Sequence, residues 1–276
     1  MDTAAYLHRI GLDSVPENTP SYRSLAILQR QHLRTVPFEN LDIIHGPEIV
    51  LDHDRLFEKI VTNNRGGFCY ELNGLFERLL AALGFETTRV GCRVCNDAGE
   101  LSPDTDHLSI IVELDRPYLV DVGFGDFARQ PLPFTGEPQT DVSGTYCIQP
   151  DCSGTETFGA YRITDEADPS TGTTDDPAGA CELQLAFSWE GRPFSAFTER
   201  CVYHQTSPES HFTDGPIATI ATADGRRSVS DETVTITTEN GVEKRPLESH
   251  DERVRLLDEW FGLDWDHPPE TWFRPT

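Results

Sequence analysis

Lysine is almost absent from this chain: only Lys59 and Lys244 are lysines, and the other 20 of the 22 basic residues are arginines. The basic residues are outnumbered by 47 Asp and Glu, leaving a formal net charge of −25 over 276 residues. With no cluster of Lys and Arg to release counterions from phosphates, nucleic acid is excluded as a partner, and anionic membrane surfaces with it. No stretch approaches the ~18–20 apolar residues of a membrane span, and no basic-then-apolar leader opens the chain. The expectation is a soluble, cytoplasmic protein. Apolar residues at 37% are enough for a core and exclude a disordered chain.

An acid excess of this size has a physical consequence. At low ionic strength like charges repel and loosen the compact state, whereas in molar salt the Debye length shrinks to about 3 Å and the repulsion fades. Scarce lysine with abundant Asp and Glu therefore describes a chain suited to a salt-rich, halophilic cytoplasm. An ordinary acidic cytosolic protein would share only the sign of the charge.

Disulfides are also not expected. The seven cysteines are Cys69, Cys92, Cys95, Cys147, Cys152, Cys181 and Cys201, an odd number without a secretion signal. Cys92-Arg-Val-Cys95 has zinc-like spacing, but no second pair completes four ligands. It lies in the β-like run Thr87–Val94, so two core or near-core thiols and no metal are expected.

The elements fall into an order. Tyr22, Leu25, Leu28 and Leu33 mark a helix stopped before Pro37, and the first 85 or so residues read as helical. From Glu71 to Leu83 the helical period is clearer, with Gly84 as the stop. The period then becomes that of strands over Thr87–Val94, His107–Leu114 and Tyr118–Val122, with Asp115-Arg116-Pro117 as a hairpin turn. Asp165–Gly179 is a low-complexity loop. Strands resume at Cys181–Ser188 and Ile217–Thr222, and Thr233–Thr238 with Val242–Pro246 read as hairpin arms. A capping box of Ser249 and Glu252 opens a last helix that ends at Gly262. This is an α+β order with no βαβ repeat, divided at about 1–85, 86–190 and 191–276.

Arg65-Gly66-Gly67-Phe68-Cys69-Tyr70 stands directly before the strongest helix. At a helix start, unpaired N–H groups and the positive dipole end stabilise a thiolate and lower its pKa. The two glycines let the backbone bend and come close to whatever approaches the sulfur. A nucleophilic cysteine needs a base, and the base needs an orienting group. His107 opens an apolar strand after Asp104-Thr105-Asp106, and Asp121 lies inside the next, Tyr118-Leu-Val-Asp-Val. Ionisable groups in apolar strands are costly to bury unless paired. A hairpin would bring Asp121 to the Nδ1 of His107, with Cys69 supplied from the helical part. Singly, each also suits a core position. Together they outline a Cys-His-Asp triad able to serve acyl transfer or peptide hydrolysis.

Val36-Pro37-Phe38-Glu39-Asn40-Leu41, Arg65-Gly66-Gly67-Phe68-Cys69, His107-Leu108 and Val120-Asp121-Val122-Gly123-Phe124-Gly125 occur in the order and spacing of the arylamine N-acetyltransferases. The likeness continues through Tyr203-His-Gln-Thr-Ser-Pro-Glu-Ser-His-Phe212 to the C-terminal hairpin and helix. The chain resembles a salt-adapted, haloarchaeal member of that family. The resemblance implies an N-terminal helical bundle carrying the cysteine, a central antiparallel β-barrel-like domain carrying His and Asp, and a C-terminal α/β lid. It implies acetyl-CoA as co-substrate and a small aromatic amine or hydrazine as acceptor, in a ping-pong reaction through acetyl-Cys69. His107 would be the base, Asp121 its orienting partner, and the lid would restrict water.

Other positions carry over by the same resemblance. Glu39 and Arg65 match a structural ion pair beside the site. Phe38, Phe68 and Phe124 match the acceptor pocket, and Tyr203 matches a CoA-contacting tyrosine. Glu209 stands where some members have a small hydroxyl residue, and its carboxylate would repel CoA phosphates, while the shortage of lysine leaves arginines such as Arg93 and Arg129 as phosphate partners. The other readings of the same triad are a thiol amidase or protease-like hydrolase, and an amide synthase taking its acyl group from a carrier other than CoA.

Overall fold

A computed structural model describes residues 1–150, 157–164 and 181–263. The segment Asp165–Gly179, expected to be a loop, and Cys152 lie outside the described residues.

The first part is built of short helices. Helix α1 spans Thr3–Arg9 and α2 spans Tyr22–Thr35, the latter capped by Ser21, whose Oγ accepts the Ser24 N–H at 3.2 Å. Beyond Pro37 the chain forms β1 (Phe38–Glu39), then α3 (Leu41–His45), α4 (His53–Phe57), a π-helical turn over Glu58–Thr62, and α5 (Cys69–Ala82). Strand β1 departs from the all-helical reading. With Pro37 ending α2, Phe38 and Glu39 pair with a strand near residue 219, and Glu39 N–H also reaches the Gly67 carbonyl at 2.9 Å. Helix α5 stops where its apolar period stops, at Leu83 followed by Gly84 with φ +87°.

Eight antiparallel strands follow: β2 (Glu86–Val94), β3 (His107–Glu113), β4 (Pro117–Val120), β5 (Leu132–Pro133), β6 (Gln139–Asp141), β7 (Gly144–Pro150), β8 (Thr157–Ile163) and β9 (Cys181–Gly191). Their order β5-β4-β3-β2-β9-β8-β7-β6 brings β5 back against β7, so the sheet is a nearly closed barrel. Strand β3 is buried on both faces, which explains its unbroken apolar run. Leu108, Ile110 and Val112 pack with α5, while Ile111 joins Val90, Leu119, Tyr146 and Leu185 in the barrel core. The hairpin at Asp115-Arg116-Pro117 forms as expected, pairing Glu113 with Pro117 and Ile110 with Val120.

The chain then runs through α6 (Thr198–Thr206) into β10 (Ala218–Ala221), β11 (Gly225–Val229), β12 (Thr233–Thr238) and β13 (Gly241–Pro246), and ends in α7 (His250–Phe261). These four strands and β1 make a second sheet, ordered β1-β10-β11-β12-β13, with Leu256, Leu257 and Phe261 of α7 packed on Ile220, Val229 and Val234. The cap of α7 is half the expected box. Ser249 Oγ accepts the Glu252 N–H at 3.1 Å, but the Glu252 carboxylate turns to the Glu248 N–H and to Arg245. The architecture is α+β: a helical layer, a barrel-like sheet and an α/β unit joined edge-on through β1.

Candidate active site

Cys69 is the first residue of α5, and its side chain faces a cavity of about 550 Å³. His107, at the start of β3, opens onto the same cavity. Asp121 follows β4 directly and is buried, with a relative exposure of 3%. The register fixes how the last two meet. Ile110 pairs with Val120, so Asp121 falls opposite Ser109 and not opposite His107. The imidazole has to reach along the sheet, and its distal nitrogen makes the contact: Nε2 donates to Asp121 Oδ2 at 2.6 Å. The expectation that Asp121 would hold Nδ1 is therefore corrected, which leaves Nδ1 as the ring nitrogen that Asp121 does not engage.

Asp121 is held by more than His107. Ser109 Oγ donates to Oδ2 at 2.5 Å, while Asn73 Nδ2 and the Gly123 N–H donate to Oδ1 at 3.0 and 2.8 Å. Burial pushes this carboxyl up, but His107 and the hydrogen bonds from Asn73 and Ser109 outweigh it and hold Asp121 below the usual carboxylate range. Asn73 also donates to the Leu108 carbonyl at 2.6 Å and accepts the Val122 N–H at 2.8 Å, so one amide spans all three triad-bearing segments. Neither Asn73 nor Ser109 stood out in the sequence. The usable signal was spacing, since Asn73 lies one helical turn beyond Cys69. Gly123 has a steric reason: a Cβ there would stand 2.8 Å from Cys69 Cα and 2.9 Å from Asn73 Nδ2.

The thiol departs from expectation. Burial pushes the Cys69 thiol well above its ordinary value, the Asp121, Cys201 and Asp106 sites add to this, and only the Tyr70 N–H works the other way. The helix start is covered by protein, and desolvation wins over the dipole. A free thiolate is therefore disfavoured at this position. The glycines before Cys69 also act otherwise than expected. At Gly66 a Cβ would stand 2.2 Å from the Pro37 carbonyl oxygen and 2.7 Å from Glu39 Cγ, so the space is taken by β1 and not by an approaching ligand.

Below α5, Arg65 Nη2 meets Glu39 Oε1 and Asp42 Oδ1, both at 2.9 Å, and Lys59 Nζ meets Asp42 Oδ2 and Glu71 Oε1, both at 2.8 Å. The expected Glu39–Arg65 pair is thus part of a five-residue cluster. The other oxygen of Glu71 accepts the Phe68 N–H at 3.1 Å, which ties the cluster to the first turn of α5.

The remaining candidates separate. Phe38 and Phe124 wall the cavity, with the Phe124 ring edge-on to His107 at 5.3 Å. Phe68 does not: it is fully buried, packed against Tyr70 and Phe212, and Phe212 supplies the third aromatic wall. Tyr203 is absent from the cavity lining; its ring lies 4.0 Å beneath the Arg200 guanidinium. Arg129 is corrected as a phosphate partner. It is buried and donates to Ser143 Oγ and to the carbonyls of Thr222 and Gly225, joining barrel to second sheet. Arg93 is exposed, with Nε on the Ser102 carbonyl at 2.8 Å, and Glu209 is exposed between Ser207 and Ser210. Cys92 is buried in β2, and among the described residues no group of three or more His, Cys, Asp or Glu is placed to hold a metal.

The comparisons agree with this geometry. The family model for N-acetyltransferase matches residues 22–268. An arylamine N-acetyltransferase of Mycolicibacterium smegmatis is 32% identical over 271 residues, covering 96% of this chain and 92% of that protein. The arylamine N-acetyltransferase of Mycobacterium marinum in complex with CoA superposes with a TM-score of 0.84 at 27% identity, covering 98% of this chain and 96% of that one. An arylamine N-acetyltransferase of Bacillus cereus, described with a unique Cys-His-Glu catalytic triad, superposes at 0.81 with 26% identity, covering 96% and 100%. A triad-bearing barrel, a helix presenting the cysteine and these likenesses agree: the chain belongs to the arylamine N-acetyltransferase family and is an acyltransferase.

Proposed function

We propose that this chain carries an acetyl group from acetyl-CoA to an arylamine or hydrazine through acetyl-Cys69. The observation that carries the reading is one cavity shared by Cys69 and His107, walled by Phe38, Phe124 and Phe212, with Asp121 buried behind the histidine. The thioester end fits this cavity. Among the described residues the CoA phosphates find no lysine or arginine in its lining, nor in the adjoining cavity of about 540 Å³, whose wall includes Asp214, Asp231 and Glu232. They would lie outside both, in solvent where salt screens them.

The reaction divides into two half-reactions. His107 takes the Cys69 proton on Nδ1 while its Nε2 stays on Asp121, and the sulfur attacks the thioester carbonyl. The tetrahedral adduct collapses by breaking its bond to the CoA sulfur, which takes the proton back from His107. The products are acetyl-Cys69 and CoA. An amine then attacks the acetyl carbonyl, passes its proton to His107, and expels the Cys69 sulfur as thiolate, which His107 reprotonates. Asp121 remains ionised and stabilises the imidazolium in both halves. The aromatic walls suit a flat acceptor and limit water at the acetyl-enzyme.

Transfer of this kind requires CoA release without an acceptor. Mixing chain and acetyl-CoA alone should give one CoA per chain in a burst, followed by slow hydrolysis. CoA release only when an amine is present would overturn the two-step reading.

A further inference from the structure

The residue before the base and the residue after the nucleophile are joined to each other and to α6. Asp106 precedes His107, and its Oδ1 accepts from His204 Nε2 at 3.1 Å and from Arg200 Nη2. His204 is buried, with Nδ1 3.0 Å from Ser210 Oγ on the side of the ring away from Asp106. From the other side Tyr70, next to Cys69, shares its hydroxyl proton between the carbonyls of Thr105 at 2.9 Å and Asp106 at 2.8 Å. Between them Thr105 has φ +62°, a left-handed conformation that a β-branched residue keeps only when its surroundings impose it. Of these side chains only Asp106 reaches the cavity wall.

We propose that Asp106, His204, Arg200 and Tyr70 form a positioning network that sets His107 against Cys69. The proposal rests on Cys69 being the nucleophile. The network fixes the backbone on either side of the reacting pair: Tyr70 from α5, Asp106 from the entry to β3, and both through α6. Hydrogen bonds from His204 and Arg200 overcome the partial burial of Asp106 and hold it at about 2, so it is ionised at neutral pH. Its charge also opposes a thiolate at Cys69. Charge and position therefore make opposite demands: removing the Asp106 charge favours the thiolate, whereas releasing its anchors disorders the pair.

The test reads the rate of Cys69 alkylation by iodoacetamide, resolved by peptide mass spectrometry across pH, beside its acetylation by acetyl-CoA. Tyr70→Phe leaves every charge in place, so it should slow both reactions by about tenfold and move the alkylation midpoint to higher pH. Asp106→Asn should slow acetylation at least as much while its alkylation midpoint moves to lower pH. Misplacing a reacting group by about 1 Å costs up to about 10²-fold. The double variant should be no slower than the slower single one. His204→Gln, which keeps a donor toward Asp106, should recover most of the rate lost in His204→Leu. Undiminished acetylation in Asp106→Asn, an unchanged Tyr70→Phe, or acetylation losses that multiply in the double variant would each overturn the network. Tyr70→Phe removes a single oxygen, so the test does not hinge on the bulkier changes. Alkylation needs no acyl donor, so a chain that acetyl-CoA failed to acetylate would still decide this point.

Discussion

Asp121 takes part in four hydrogen bonds while almost fully buried, and that concentration of donors fixes one carboxylate against His107. In the proposed reaction this fixed acceptor would select the His107 tautomer and stabilise its charged form. Asp121→Asn should keep the fold yet lower the acetylation rate of Cys69 by about 10³-fold or more, because an amide cannot compensate the imidazolium. Stopped-flow CoA release would read this, and a loss below tenfold would show that Asp121 is only structural. The proposed triad could be drawn from the sequence because each member was chemically conspicuous: a cysteine before a helix, and two ionisable residues in apolar strands. What surrounds it was not legible. Which nitrogen of His107 meets Asp121 depends on a register offset of two residues. Whether Phe68 or Phe212 faces the cavity depends on burial, and a phenylalanine carries no mark of that.

At the scale of the element, α5 depends on a charged cluster for its start. Lys59 lies between Asp42 and Glu71, and Glu71 caps the turn that carries Cys69. In a chain with two lysines, one is spent here. Lys59→Met would leave buried carboxylates facing each other, and removing one partner of a buried ion pair typically costs about 3–5 kcal/mol. Urea unfolding should show a loss at the lower end of that range, with an accompanying fall in Cys69 alkylation as the first turn of α5 loosens. Unchanged stability would mean that the cluster is solvated and dispensable. The periodicity of α2, α5 and α7 and the hairpin between β3 and β4 could be read from sequence, because a repeating apolar pattern is local information. Strand β1 could not. Two residues after a proline become a strand only because β10 arrives from about 180 positions along the chain. The place of Arg129 is hidden for the same reason, since its carbonyl partners lie 93 and 96 residues away.

For the whole molecule the acid excess remains the governing feature. Among the described residues most ion pairs engage arginines, and with 47 acidic residues against 22 basic ones many carboxylates have no cation to meet. Mutual repulsion should weaken the fold at low ionic strength and be screened as the Debye length falls from about 10 Å at 0.1 M to about 3 Å at 1 M. The melting temperature should therefore rise steadily with KCl over that range and flatten beyond it. A flat or falling curve would show that the acidity is not a salt adaptation. The carboxylates lining both cavities set the same requirement for a polyanionic donor, so apparent affinity for acetyl-CoA should strengthen with salt before it levels. None of the described helices is long and apolar enough to cross a membrane.

One measurement bears on all three scales at once: peptide mass spectrometry of the chain after brief mixing with acetyl-CoA alone in molar KCl. A single acetyl group should appear on the peptide carrying Cys69, disappear when an arylamine is added, and be absent from Cys69→Ala. Acetyl on another residue, or none on a folded chain, would contradict the assignment of Cys69 as the residue that carries the group.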